Sequence, residues 1–166
     1  MSARGDISPQ RLVAITLDEA SIVRWSADVE HERRVAIFDL LEENAFAPVA
    51  PLAGGYRGPF HLHLRIEDGR LVFELSDEAG NFLDSFRLPL TPFRRVIKEY
   101  FLICDSYYRA IKTASPQQIE AIDMGRRGLH DEAARLLRDR LKAKVEVDEN
   151  TARRLFTLIC VLHIRG

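Results

Sequence analysis

The sequence predicts an α+β fold: a mainly antiparallel sheet built around a meander over residues 60–88, packed against long helices at about 92–113 and 150–165. Three observations carry that reading. Residues 60–67, FHLHLRIE, alternate strictly, with Phe60, Leu62, Leu64 and Ile66 facing one way and His61, His63, Arg65 and Glu67 the other. From Phe93 to Ile111 apolar side chains recur every three or four residues, the period of a helix with one buried face. The stretch from Leu155 to Ile164 is apolar almost all round, which predicts a buried helix.

Taken in order, residues 10–17 (QRLVAITL) are apolar and β-branched enough for a first strand. Asp28 is placed to cap a helix that runs to about Asn44, with Val35, Ile37, Phe38, Leu40 and Leu41 as its apolar stripe. Residues 48–59 (PVAPLAGGYRGP) form a proline- and glycine-rich loop, the segment expected to be mobile. Asp68-Gly69 then closes a two-residue hairpin, because a type I′ turn needs positive φ at both positions. RLVFELS and, after the DEAGN turn, FLDSFRLPL complete the meander.

Thr91-Pro92 and Ser115-Pro116 each place a hydroxyl N-cap before a proline at the first helical position. The middle of the first of these helices, widened by Leu102 and Ile103, is expected at the centre of the core. In the second, Gly125-Arg126-Arg127-Gly128 reads as an interruption, with a new helix from about Leu129 to Leu141. KVEV at 144–147 reads as a short strand, extending the sheet together with residues 10–17, and Asp148 or Asn150 caps the last helix.

With 166 residues the chain suits a single globular domain over 1–166, residues 1–9 being expected to be flexible. A chain of that length buries about two thirds of the surface it exposes when unfolded, so it needs no covalent staples. Hydrophobic residues make up 46% and charged residues 30%, which excludes wholesale disorder. No apolar run reaches the roughly 20 residues that span a bilayer. The N-terminal MSARGDISPQ lacks the apolar core of a secretory signal, so a cytoplasmic location is expected. Cys104 and Cys160 both sit in apolar helical patterns and read as buried free thiols.

The net charge of −1 hides an asymmetry. Residues 1–90 carry 9 basic and 15 acidic groups, whereas residues 91–166 carry 15 basic and 10 acidic. That distribution favours an anionic partner for the second half.

Candidate chemistry is sparse. His61 and His63 lie about 7 Å apart on one strand face, but a zinc site needs further ligands and none has the spacing to supply them. The alternation makes them the polar face of a half-solvated strand. His31-Glu32 lacks the second histidine of an HExxH helix. His130-Asp131 are sequence neighbours that point apart on a helix, and Asp131 reads as an acidic first-turn residue. No nucleophile elbow, phosphate-binding glycine loop or dinucleotide fingerprint is present, so no catalytic residue, metal or cofactor is predicted.

The strongest motif is Gly125–Gly128. A helix, a Gly-x-x-Gly loop with two basic central residues, then a helix and a strand is the order of a KH module, whose loop backbone clamps nucleotide phosphates. The nucleic-acid-binding residues predicted are Gly125, Arg126, Arg127 and Gly128, with Arg135, Arg138 and Lys142 on the helix that follows. From Arg126 to Lys144 there are 7 basic and 3 acidic residues. The ordinary alternative is a helix–turn–helix connection with solvated arginines. The order also departs from the KH pattern, because a long helix stands between the hairpin and the loop.

Three segments, LTPFRRVIKEYFLICDSYYRAI, IEAIDMGRRGLHDEAARLLRDRL and VDENTARRLFTLICVLHIRG, together with RLVAITLDEASI and DVEHERRVAIFDLLEENAFAPV, resemble an uncharacterised protein family (UPF), number 0262, of alphaproteobacteria. The resemblance covers most of the chain. It implies a bacterial cytosolic protein with a single intact domain and transfers no functional residue.

Three function classes follow: a non-catalytic macromolecule-binding adaptor or regulator, which the sequence favours; an RNA-binding protein using the GxxG loop; and an enzyme or small-ligand binder with a pocket beneath the 48–59 loop and near His61 or His63. The partners expected are a protein or RNA and not a membrane, and a homodimer is compatible with the sequence.

Overall fold

A computed structural model describes residues 9–18 and 27–163 of the chain, and the α+β class holds. Strands β1 (Leu12–Leu17), β3 (Phe60–Glu67), β4 (Arg70–Ser76) and β5 (Phe82–Pro89) form a four-stranded sheet in the order β1-β3-β4-β5. The meander is antiparallel, and β1 joins its other side parallel to β3. Asp68 and Gly69 adopt φ of 54° and 72°, the two positive values that the hairpin demands. Asp77 organises the next turn by accepting from the Ala79 and Asn81 amides, and Gly80 supplies a φ of 88°.

The period of two places Phe60, Leu62 and Leu64 of β3 beside Leu71, Phe73 and Leu75 of β4 on the inner face, all at most 1% exposed. Each such side chain contributes roughly 1.5–3 kcal/mol by leaving water. The outer face carries His61, His63, Arg65 and Glu74.

Of the four helices, α1 (Ala27–Glu42), α2 (Arg94–Thr113), α3 (Pro116–Leu141) and α4 (Glu149–His163), the first packs against β1 and the last against β3. The apolar C-terminal stretch forms α4, which packs against α1, α3 and β3 as its composition requires. Asp148 caps it by accepting from the Thr151 amide at 2.7 Å. Asn44, just beyond α1, binds both the amide and the carbonyl of Leu12 and ties the first helix to β1.

Several expectations are corrected. The GRRG segment is not a loop: α3 runs unbroken for 26 residues, about 39 Å at 1.5 Å per residue. A helical glycine costs about 1 kcal/mol relative to alanine, and the helix carries two. Compensation is visible at both levels. Ser115 and Gln118 form a reciprocal capping box behind Pro116, and Asp123 pairs with Arg126 and Arg127 one turn on. Gly125 also has a packing reason, since a Cβ there would meet Ile103 Cδ1 at 2.8 Å. The missing side chain lets α2 approach α3.

Residues 144–147 do not extend the main sheet; β6 (Val145–Val147) pairs antiparallel with β2 (Phe46–Pro48) in a separate two-stranded sheet. Thr91-Pro92 opens a 3₁₀ turn, and α2 begins at Arg94 without a side-chain cap. The middle of α2 is not central: Val96, Ile97 and Tyr100 are buried, but Leu102 is 60% exposed. The second half of α2 packs mainly on α3, so its apolar residues beyond that contact meet solvent. On α1 only Ala36 and Leu40 of the described side chains are buried, and Phe38 is 67% exposed. Asp28 lies within α1 rather than ahead of it, and residues 1–8 lie outside the described residues. In the 48–59 loop, Tyr56 packs edge-on against Phe60 and donates to the Pro59 carbonyl. Of the two free thiols, Cys160 is buried and Cys104 half-buried.

Candidate functional site

The structure divides the predicted nucleic-acid residues rather than assembling them. In α3 the amides of Gly125–Gly128 are helical, so the open loop backbone of a phosphate clamp is absent. At about 100° per residue, Arg126 points to the opposite side of α3 from Arg135. Arg135, Arg138 and Lys142 are exposed on that other side; Arg138 donates to the Val147 carbonyl at 3.0 Å and Lys142 pairs with Asp139 at 3.0 Å.

Arg126 instead enters a polar cluster where α1, α2 and α3 meet. Its guanidinium lies 2.7 Å from Asp123 and 4.3 Å above the Tyr107 ring, a cation–π geometry. Glu32 of α1 is 4.0 Å from Arg126 and accepts from the Tyr108 hydroxyl at 2.5 Å. Burial pulls the Arg126 guanidinium down, but the Asp123 hydrogen bond and neighbouring groups more than offset this and leave it above its ordinary value. The same hydrogen bond lowers the Asp123 carboxyl.

Beneath this cluster, His130 packs between Tyr100 and Phe156, with ring centroids 5.3 and 5.9 Å away. Its Nε2 lies 2.8 Å from the Arg153 carbonyl oxygen and 3.0 Å from Thr157 Oγ1. A carbonyl only accepts, so Nε2 carries the proton of the neutral ring and Nδ1 is the acceptor. Burial lowers the His130 pKa, opposed by the hydrogen bond to Arg153. Burial raises the Tyr100 hydroxyl and both the Cys104 and Cys160 thiols. Thiols held neutral in this way are poor nucleophiles.

Above His130 a cleft of about 260 Å³ opens between α1 and α4. Positions 32, 35, 36 and 39 line it from α1, and positions 150, 153, 154 and 157 from α4. Each set is the i, i+3, i+4, i+7 pattern of one helix face. Sequence reasoning set aside His130 and Glu32 because their sequence neighbours point elsewhere; their partners come from other helices. The legible signal was the polar and small residues at helical spacing in α1 and α4.

The other predicted features stay apart. His63 Nδ1 lies 2.7 Å from Thr16 Oγ1 on the outer sheet face, and His61 stands opposite Ser76 in the strand register. A hollow of about 280 Å³ lies beneath the 48–59 loop, lined by Pro48, Leu52, Tyr56 and Phe60 among others and by neither histidine. Among the described residues no group of three or more potential ligands is placed to hold a metal, and no helix is long and apolar enough to cross a membrane.

The family model described as an uncharacterised protein family, UPF0262, matches residues 9–165. A UPF0262 protein of Sphingopyxis alaskensis is 60% identical over 161 residues, spanning 97% of this chain and 98% of that protein. One from a Bradyrhizobium strain is 59% identical over 162 residues, spanning 98% and 95%. One from Azorhizobium caulinodans is 60% identical over 159 residues, spanning 95% and 96%. No solved structure matches the chain. With near-complete coverage on both sides, and the model match running through every described strand and helix, the chain belongs to the uncharacterised protein family UPF0262.

Proposed function

We propose that the protein is a non-catalytic binding protein that docks another protein on the outward face of α1. One observation carries this reading. Phe38 is 67% exposed and, with Ile37 and Leu41, lines an apolar hollow of about 520 Å³ bordered by Arg34 and Glu42. Adjoining apolar side chains rimmed by charge mark interaction surfaces, and this pattern of an apolar centre with charges at its edge suits an amphipathic helix laid along it. An RNA clamp at residues 125–128 has no loop to rest on.

The test is a photo-crosslinking amino acid at position 38, introduced in a bacterial host that encodes the protein. The expected result is one defined protein adduct that is lost when Leu41→Asp is added. Diffuse adducts, or an adduct indifferent to Leu41→Asp, would refute the reading. An adduct of twice the chain's own mass would identify the partner as a second copy.

A further inference from the structure

We propose that the cleft between α1 and α4 is a binding site for a small zwitterion of the α-amino acid type, separate from the docking face around Phe38. The cleft has an acidic wall and a basic wall. Asp39 and Glu32 line it from α1, and Arg153 and Arg154 from α4. The walls do not neutralise one another. Glu32 accepts from Tyr108, Arg153 pairs with Asp131 at 3.3 Å, and neither Asp39 nor Arg154 makes a side-chain ion pair among the described residues. Two helices packed together thus hold a carboxylate and a guanidinium at one opening without joining them.

His130 adds a third element. It lines the cleft with its Nε2–H committed to the Arg153 carbonyl, so the open charges there are those of Asp39 and Arg154. An ammonium group satisfies the Asp39 carboxylate, and a carboxylate satisfies the guanidinium of Arg154, bidentately where the approach permits. A free anion answers only one wall and a free cation only the other. At about 260 Å³, the space falls below the roughly 300–1,000 Å³ of sites for drug-sized ligands, which suits a molecule the size of a single amino acid. Ala36 and Thr157, small residues on the two walls, keep the space open.

Thermal-shift measurements with each of the L-α-amino acids, followed by calorimetric titration of the best, test this directly. At about 100 times its Kd, a true ligand is expected to raise the Tm by about 5 °C or more. Its methyl ester, which lacks the carboxylate, and its N-acetyl derivative, which lacks the ammonium, are each expected to lose the shift. Asp39→Asn and Arg154→Gln are each expected to weaken binding about tenfold or more, as loss of one charge-assisted hydrogen bond predicts. Phe38→Asp is expected to leave it unchanged, which separates this site from the docking face. The proposal fails if no amino acid shifts the Tm. It also fails if the ester or the acetylated form binds as well as the parent, or if both cleft variants bind normally. The two derivatives are measured on the unaltered protein, so a variant that folds poorly does not rescue the proposal.

Discussion

Replacing Gly128 by alanine distinguishes a helix from a turn at the centre of the GRRG segment. In α3 a Cβ at this position meets nothing within 4 Å. The substitution therefore removes the helix-interior cost of glycine without adding a clash, and should stabilise the protein by about 0.8–1 kcal/mol. For a chain of this size that is a Tm rise of about 2–4 °C. Gly125→Ala carries the same helical gain, but its Cβ would lie 2.8 Å from Ile103 Cδ1. Driving that side chain off its rotamer costs about 0.5–1.5 kcal/mol, so the net effect should be close to zero. Ile103→Val deletes the clashing methyl, and in that background Gly125→Ala should recover its gain. The coupling expected is about 1 kcal/mol, well above the roughly 0.3–0.5 kcal/mol scatter of independent sites. Urea denaturation followed by far-ultraviolet circular dichroism measures all four states of the cycle. If Gly128→Ala instead destabilises by about 1–2 kcal/mol, the penalty of a left-handed residue, the segment is a turn and the continuous helix is wrong.

Two further outcomes follow from the packing. His130 has a pKa lowered by burial in the folded protein, so the unfolded chain takes up the proton first, at a pKa of about 6.5. The His130 contribution is therefore complete above about 6.5 and declines as pH falls toward the lower folded value. Urea midpoints measured across that window should fall more steeply for the native protein than for His130→Gln, and parallel curves would refute the assignment. Asn44→Ala should cost about 1–3 kcal/mol, because it leaves the Leu12 amide and carbonyl without their partner. Equilibrium unfolding of that variant measures the loss, and an unchanged midpoint would mean that the tie between α1 and β1 carries no stability.

What the sequence by itself determined was local. The meander follows from a period of two and from a turn whose two residues accept positive φ. The starts of α3 and α4 follow from Ser115-Pro116 and Asp148, whose side chains satisfy amides within the next turn. Burial of residues 155–162 of α4 follows from their being apolar almost all round, and family membership follows from long shared segments. These depend on interactions a few residues apart, which a linear reading contains.

Only the tertiary structure decided the rest. Gly125 signals a break when read alone, yet it serves a helix contact because Ile103 of α2 occupies the space its side chain would fill. Phe38 fits an apolar stripe, but the buried side of α1 is set by Ala36 and Leu40, which leaves Phe38 outside. The Arg126 cluster and the α1–α4 cleft draw on helices up to about 120 positions apart in the chain, so no window of sequence contains them. Propensity and periodicity state which faces of a helix are apolar. They do not state which of two apolar faces finds a neighbour, because that is settled by how the helices pack on one another and on the sheet.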